Sequence, residues 1–240
     1  MLISHRKRFI FTKTVKTAGT SVESYFEKFC MRKGEWTKSH ARDELVTEDG
    51  IIGFRGSSKT PHTWYHHMSA EKIRDQIGQE IWDGYFKFTV VRNPFDKLIS
   101  GFFMYEKIRR NAGPSRKLRA FVSRVIKVGN PINRVSGKND VDRFRSWIRH
   151  GGTIMDRDKY LIDGKECMDH IIRFEELHEG IRHVCDHLAI PFEPKRIPTF
   201  KKGIRPDETP VRDFYDAETE RRVRQTYAWE LEKFGYDLPT

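Results

Sequence analysis

The stretch Lys13-Thr14-Val15-Lys16-Thr17-Ala18-Gly19-Thr20-Ser21 lies between an apolar run, Phe9-Ile10-Phe11, and a helical pattern, and it limits the chain to a small set of folds. A strand that ends in a short loop and turns directly into a helix aims several unpaired backbone amides and the positive end of the helix dipole at one point. Such a point suits a phosphate. Gly19 permits close backbone approach, Thr20 and Ser21 bring hydroxyl donors, and Lys16 brings a mobile positive charge. Val22, Tyr25, Phe26 and Phe29 recur at i, i+3, i+4 and i+7, so the helix after the loop has one face to bury. The loop is not the P-loop of nucleoside triphosphatases, whose glycine precedes its lysine; here Lys16 precedes Gly19.

A second strand-loop-helix unit follows at Phe86 to Phe103. The β-branched and aromatic run ending at Val91 reads as a buried strand, and Asn93 before Pro94 reads as an N-cap with proline at the first helical position. Phe95, Leu98, Ile99, Phe102 and Phe103 mark the inward side of the helix. Arg92 then stands at the carboxyl end of a strand, where open α/β sheets bind ligands, and Ser100 lies on the helix that starts there. We expect both to face one anion.

The pair K-T-A-G-T-S and V-V-R-N-P-F-D-K-L-I-S-G-F, in this order, resembles the carbohydrate sulfotransferases that use 3′-phosphoadenosine 5′-phosphosulfate (PAPS), the heparan sulfate 2-O-sulfotransferase type among them. The resemblance implies a P-loop-like α/β fold with a central, mainly parallel sheet flanked by helices. It also implies that Lys16, Thr17, Ala18, Gly19, Thr20 and Ser21 hold the 5′-phosphosulfate, that Arg92 and Ser100 hold the 3′-phosphate, and that 3′-phosphoadenosine 5′-phosphate (PAP) is the product. Shorter echoes at His67-Met68-Ser69, at Ile171 to Leu177 and at Phe234-Gly235-Tyr236 carry it over most of the chain. Val15 departs from the pattern, where the family often has proline; this changes loop stiffness more than chemistry.

Sulfonate transfer needs a charge to stabilise the leaving phosphate and a base for the acceptor hydroxyl. Lys16 is the candidate for the first role, with Thr20 and the loop amides sharing it. His67 is preferred for the second, since some family members use a histidine in a similar His-x-Ser setting, with His62 and His66 as other candidates. Metal binding by His62 and His66 is disfavoured, because no carboxylate or cysteine completes a set nearby. Trp64 and Tyr65 either stack on a ligand or pack, and packing is the commoner fate.

The 240 residues suffice for a single catalytic domain spanning 1–240, with no linker or repeat dividing them. Three scattered cysteines, Cys30, Cys167 and Cys185, fit neither a disulfide framework nor a zinc site. Without an apolar run long enough for a leader or a membrane span, a soluble cytoplasmic enzyme is the expectation; a trimmed Golgi-type luminal domain is the alternative. The formal charge of +11 calls for anionic partners, here a nucleotide donor. From Lys107 to Arg149 the only acidic residues are Asp140 and Asp142, so we expect a mainly solvated basic face from which some side chains line a groove for a carbohydrate or small hydroxyl acceptor. Lys201, Lys202 and Arg205, in a Pro/Gly-bounded loop, are expected to form a lid. Two other readings are a kinase-like phosphotransferase, which requires a magnesium carboxylate beside the loop, and a non-catalytic nucleic-acid binder suggested by charge alone.

Elsewhere Ser69 caps a helix through Ile73 and Ile77, Tyr160 to Ile162, Asp163-Gly164 and Met168 to Ile172 read as strand, turn, strand, and Leu177 to Leu188 carries a helical stripe. A last helix is capped by Asp216, buries Val223, Tyr227 and Leu231, and stops at Gly235.

Overall fold

A computed structural model of the chain describes residues 1–56, 60–111, 131–198 and 209–240. The chain divides into two compact units, Met1–Val91 with Asp156–Phe200, and Arg92–Met155 with Lys201–Thr240.

The first unit is built on a six-stranded sheet. Its strands are β1 (Leu2–Ser4), β2 (Phe9–Phe11), β3 (Leu45–Thr47), β4 (Gly50–Ile52), β5 (Phe86–Val91) and β8 (His170–Arg173), in the order β3-β4-β1-β2-β5-β8. The three strands β2, β5 and β8 are parallel, in the register Phe11↔Phe88 and Val91↔Arg173. The other half is antiparallel, because β1 and β2 form a hairpin that turns at Arg8 (φ 52°), and β4 and β3 add to its far side. The sheet is therefore mixed; the candidate residues at Lys16 to Ser21 and at Arg92 follow strands of the parallel half, and the candidate histidines follow β4 of the antiparallel half. β2 and most of β5 are buried on both faces: β2 is wholly apolar, while β5 also buries Lys87 and Thr89 between its apolar residues.

Helices α1 (Gly19–Phe26), α2 (Ala70–Ile77), α3 (Gln79–Gly84) and α6 (Leu177–His187) complete this unit. Val22, Tyr25 and Phe26 of α1 and Ile181, Val184 and Cys185 of α6 share one core with Phe9, Phe11, Phe88, Val90 and Ile172. The aromatic rings of Phe9, Phe26 and Phe88 meet at centroid separations of 5.2 to 5.7 Å, the tilted and edge-on contacts such rings prefer. Gly180 lets α6 lie close on β8, since a Cβ there would stand 2.3 Å from Ile172 Cγ2. Ser69 caps α2 as expected, accepting from Lys72 N.

The expected strand, turn, strand after Tyr160 resolves differently. Asp163 and Gly164, both at positive φ, close a two-residue turn that pairs β6 (Leu161–Ile162) only with β7 (Lys165–Glu166). The segment from His170 instead joins the main sheet beside β5, where Asp169 accepts from Lys87 N at 2.7 Å and pairs with Lys87 Nζ at 2.8 Å.

Among the described residues the second unit carries α4 (Pro94–Asn111), α5 (Asp140–Arg149), α7 (Ala217–Thr226) and α8 (Ala228–Phe234). Its core is aromatic: Phe95, Phe102, Phe103, Phe144, Trp147, Phe214 and Tyr215 pack largely edge to face. Asn93 caps α4 by accepting from Phe95 N at 3.0 Å, with Pro94 at the first position. Asp216 and Thr219 form a reciprocal capping box on α7. The last helix is kinked at Tyr227 rather than straight. Helical hydrogen bonds from Tyr227 N to Val223 O and from Leu231 N to Tyr227 O span the kink, while the Tyr227 hydroxyl accepts from Ile154 N at 2.8 Å.

Candidate active site

The loop after β2 runs beside β5 before it turns into α1. Thr12 N donates to Phe88 O at 3.1 Å, Thr89 Oγ1 donates back to Thr12 O at 2.8 Å, and the Thr14 hydroxyl donates to Val90 O. Because Thr14 has one proton and directs it at Val90, the 2.7 Å contact between the Thr14 and Thr17 hydroxyls has Thr17 as donor. What Thr17 has left to offer an anion is its amide. Asp156, only 3% exposed, accepts from Val15 N at 2.8 Å and ties down the residue just before Lys16.

Three non-glycine residues at this site have left-handed backbone: Lys16 (φ 63°), Ala18 (φ 57°) and His67 (φ 60°). Residues so placed carry strain and concentrate at functional positions. Thr17 between Lys16 and Ala18 has negative φ, and alternating signs at 16–18 turn successive amides to one side, making the concavity that holds anions. Ala18 is the N-cap of α1 and no side chain caps it; Ser21 N and Val22 N both donate to Ala18 O. The amides ahead of them are those a helix leaves without an intrahelical acceptor. Thr17, Gly19 and Ser21 are buried, whereas Val15, Lys16, Ala18 and Thr20 are half-exposed and form the outward edge of the loop.

Beneath the loop lies a buried cluster of charge. Glu23 is fully buried, and around it stand Lys13 Nζ, Arg55 Nη1 at 2.8 Å and the Met1 amino group at 2.6 Å. Glu27, also buried, takes Arg55 Nη1 at 2.5 Å and Arg42 Nη2 at 3.1 Å. Burial opposes the Glu23 charge, but Lys13, the Met1 amine and Arg55 outweigh it and hold the carboxyl well below its ordinary range. The stem of Lys13 runs directly under Gly19, where a Cβ would come within 2.8 Å of Lys13 Cγ. Gly19 is therefore needed for packing against that stem.

The three histidines separate by environment. His62 stacks on Phe54, centroids 3.8 Å apart, and its Nδ1 lies 3.3 Å from Glu44. His66 donates from Nδ1 to Phe54 O at 2.9 Å. His67 donates from Nδ1 to Lys13 O at 2.9 Å, so of the three it is the one bonded to the anion loop. Trp64 is buried, with its amide on Glu44, and Tyr65 meets Lys72, so both pack locally.

Burial lowers the His67 pKa well below its usual value, and the Lys13 charge and His66 add to that. Burial also brings His66 down to about 4, with Lys13 again contributing. Between pH 6.5 and 4.5 the unfolded chain takes up protons on both rings that the folded chain refuses, so stability should fall as the pH falls. The expected slope approaches ~1.4 kcal/mol per pH unit for each histidine. Glu23, depressed in the folded state, adds its own loss only below about 4.5. Denaturant unfolding measured across this interval checks the prediction, and a flat stability would refute the burial of the two neutral rings.

Arg92 and Ser100 belong to the second unit. Asp96, Ser100 and Met104 are half-exposed at four-residue intervals on α4, whereas most of their neighbours are buried, and half-exposed Arg92 lies just ahead of the helix. Asp96 accepts from Arg92 Nε at 2.8 Å and Nη2 at 2.5 Å, fixing the plane of the guanidinium. Much of the described basic stretch is met by carboxylates of its own unit. Arg109, Arg110 and Arg143 gather on buried Glu106, and Arg145 and Arg149 on Asp216. Lys107, Arg134 and Lys138 are solvent-exposed. Arg116, Lys117, Arg119, Arg124 and Lys127, like Lys201, Lys202 and Arg205 of the expected lid, lie outside the described residues.

Lys13, Glu23 and Asp156 were not singled out from the sequence. A lysine at a strand end and a glutamate in the first turns of a helix look like surface residues, and Asp156 is 141 positions from its partner Val15.

The Sulfotransferase family matches residues 1–237, so this chain belongs to that family and shares its P-loop-like α/β fold. The match runs through both units and includes the strand-loop-helix segments at Lys13 to Ser21 and at Arg92 to Ser100. An uncharacterized protein of Archaeoglobus fulgidus is similar, 26% identical over 126 residues that make up 52% of this chain and 86% of that protein. No solved structure matches. As a sulfotransferase the chain is a transferase of sulfonate groups, and none of its described helices is long and apolar enough to cross a membrane.

Proposed function

We propose that the chain transfers the sulfonate of PAPS to a hydroxyl of a carbohydrate or similarly polar acceptor, working as one catalytic domain over 1–240. The observation that carries this reading is the 2.9 Å contact from His67 Nδ1 to Lys13 O, which ties a neutral imidazole to the loop bearing Lys16. A carbonyl only accepts, so Nδ1 carries the ring proton and Nε2 keeps a lone pair for an acceptor hydroxyl.

In this reading the amides of 16–20 and the Thr20 hydroxyl hold the 5′-phosphosulfate, with Ser21 supporting the turn. The acceptor oxygen bonds to sulfur as His67 Nε2 removes its proton, and the bond from sulfur to the phosphate oxygen breaks with its electrons staying on phosphate. Lys16 stabilises the charge that collects there, an interaction stronger in the transition state than in the resting donor. Arg92 and Ser100 take the 3′-phosphate, Arg92 by paired N–H groups that Asp96 keeps in plane.

The test is labelled PAPS offered with a panel of glycans and small alcohols, together with calorimetry of PAP. Transfer of label and nucleotide binding at moderate salt are expected; dependence on ATP and a divalent cation instead would favour phosphotransfer. Arg92→Ala should raise the KM for PAPS about tenfold with kcat little changed, as expected for one charged hydrogen-bonding group lost from ground-state binding. An unaltered KM would remove Arg92 from the donor site.

A further inference from the structure

We propose that Lys13 is a positioning residue for this site, setting at once which way Thr20 directs its hydroxyl proton and which ring nitrogen His67 presents. The inference rests on the sulfotransfer reading above and adds a residue to it.

Lys13 is 4% exposed, so no ligand reaches it directly. Its ammonium donates to Thr20 Oγ1 at 3.1 Å and to Glu23. An ammonium has donors and no acceptor. Thr20 must therefore accept from Lys13, and its own proton is directed elsewhere; Thr20 is half-exposed on the outward edge of the loop, where an anion would meet that proton. At the other end of the same residue, the carbonyl accepts from His67 Nδ1 at 2.9 Å and leaves the lone pair on Nε2. The stem between these two ends is clamped under Gly19, which fixes their separation. Glu23 offsets the buried ammonium, and Arg55 and the Met1 amine hold Glu23 in turn. Among the described residues, Lys13, His66 and Glu23 are the charged and titratable groups that bear on the His67 ring.

The test is a double-mutant cycle between Lys13→Met, which keeps the apolar stem, and Thr20→Val. Thr20→Val should lower kcat about tenfold in the parent and much less in the Lys13→Met background, because Thr20 has lost its orienting donor there. Lys13→Arg should restore part of the coupling. Should Lys13→Met fold poorly, Lys13→Met with Glu23→Gln keeps the buried charge balance and serves in its place. Strictly additive effects would overturn the proposal, since a merely structural lysine predicts them.

A second readout does not need turnover. Histidine side-chain nitrogen NMR should show His67 as the Nδ1–H tautomer in the parent, with its titration moving upward in Lys13→Met as the neighbouring positive charge is removed. An Nε2–H tautomer, or an unmoved titration, would overturn the proposal even where catalysis is lost. A parent protein that neither binds PAP nor transfers sulfonate would sink the donor reading alone, and the NMR result would then decide the role of Lys13.

Discussion

Replacing Lys16 with alanine is expected to lower sulfonate transfer by roughly 10²–10³-fold, the effect of removing one well-placed transition-state donor, while leaving thermal unfolding nearly unchanged. Both halves of this expectation follow from where the residue stands. Lys16 sits half-exposed on the outward edge of the loop, so the fold has little packing to lose. Its left-handed backbone, φ 63°, is held by Asp156 on the preceding amide and by the Thr14–Thr17 pair, so the loop keeps its shape when the side chain is shortened. PAP should still bind the variant, because the amides at 16–20 are untouched. Single-turnover rates with saturating PAPS, alongside a melting curve, check this; full activity in Lys16→Ala would refute the assigned role. A collapse of the fold would show instead that the loop depends on the ammonium.

Replacing Glu23 with alanine is expected to destabilise the protein by roughly 3–5 kcal/mol, the range seen when one partner of a buried ion pair is removed. Two positive side chains and the Met1 amine, whose pKa burial lowers, converge on this carboxylate, and its loss leaves Lys13 and Arg55 facing one another out of water. Against a typical stability of about 5–15 kcal/mol, such a loss is large. Glu23→Gln keeps the volume and some hydrogen bonding, so it should fall between the parent and alanine. Denaturant midpoints for the two variants provide the measurement. A change under about 1 kcal/mol in Glu23→Ala, the size expected of an exposed pair, would mean that the cluster is solvated and not buried as described.

The two strand-loop-helix units were legible in the sequence because each is a local pattern. Phe9 to Phe11 followed by Lys16-Thr17-Ala18-Gly19 and the spacing of Val22, Tyr25 and Phe26 is enough to place a strand, a turn and α1. Asn93-Pro94 likewise marks the start of α4, with Arg92 at the end of the strand before it and Ser100 on the helix. The antiparallel half of the sheet was not legible, since Leu2 to Ser4 shows no periodicity and β3 and β4 are only three residues each. The break between β7 and β8 was missed for a related reason. Asp163-Gly164 announces a turn, but the segment after Glu166 pairs with β5, a strand about eighty residues earlier, through Asp169 and Lys87. At Tyr227, where the last helix breaks, the side-chain hydroxyl meets Ile154 N, 73 positions away.

For the site, the sequence by itself determined the chemistry on offer: a lysine, hydroxyls and a glycine between strand and helix, an arginine at a strand end with a serine on the helix that follows, and a histidine run before Ser69. These are short-range patterns, and the backbone periods of strand and helix decide where they point. Only the tertiary structure decided which histidine attaches to the loop, that the Thr17 hydroxyl is held by Thr14, and that Lys13 is buried under Gly19 against Glu23. Those choices turn on hydrogen-bond and charge partners brought together by sheet pairing, and burial makes each unmet donor or charge expensive enough to fix them.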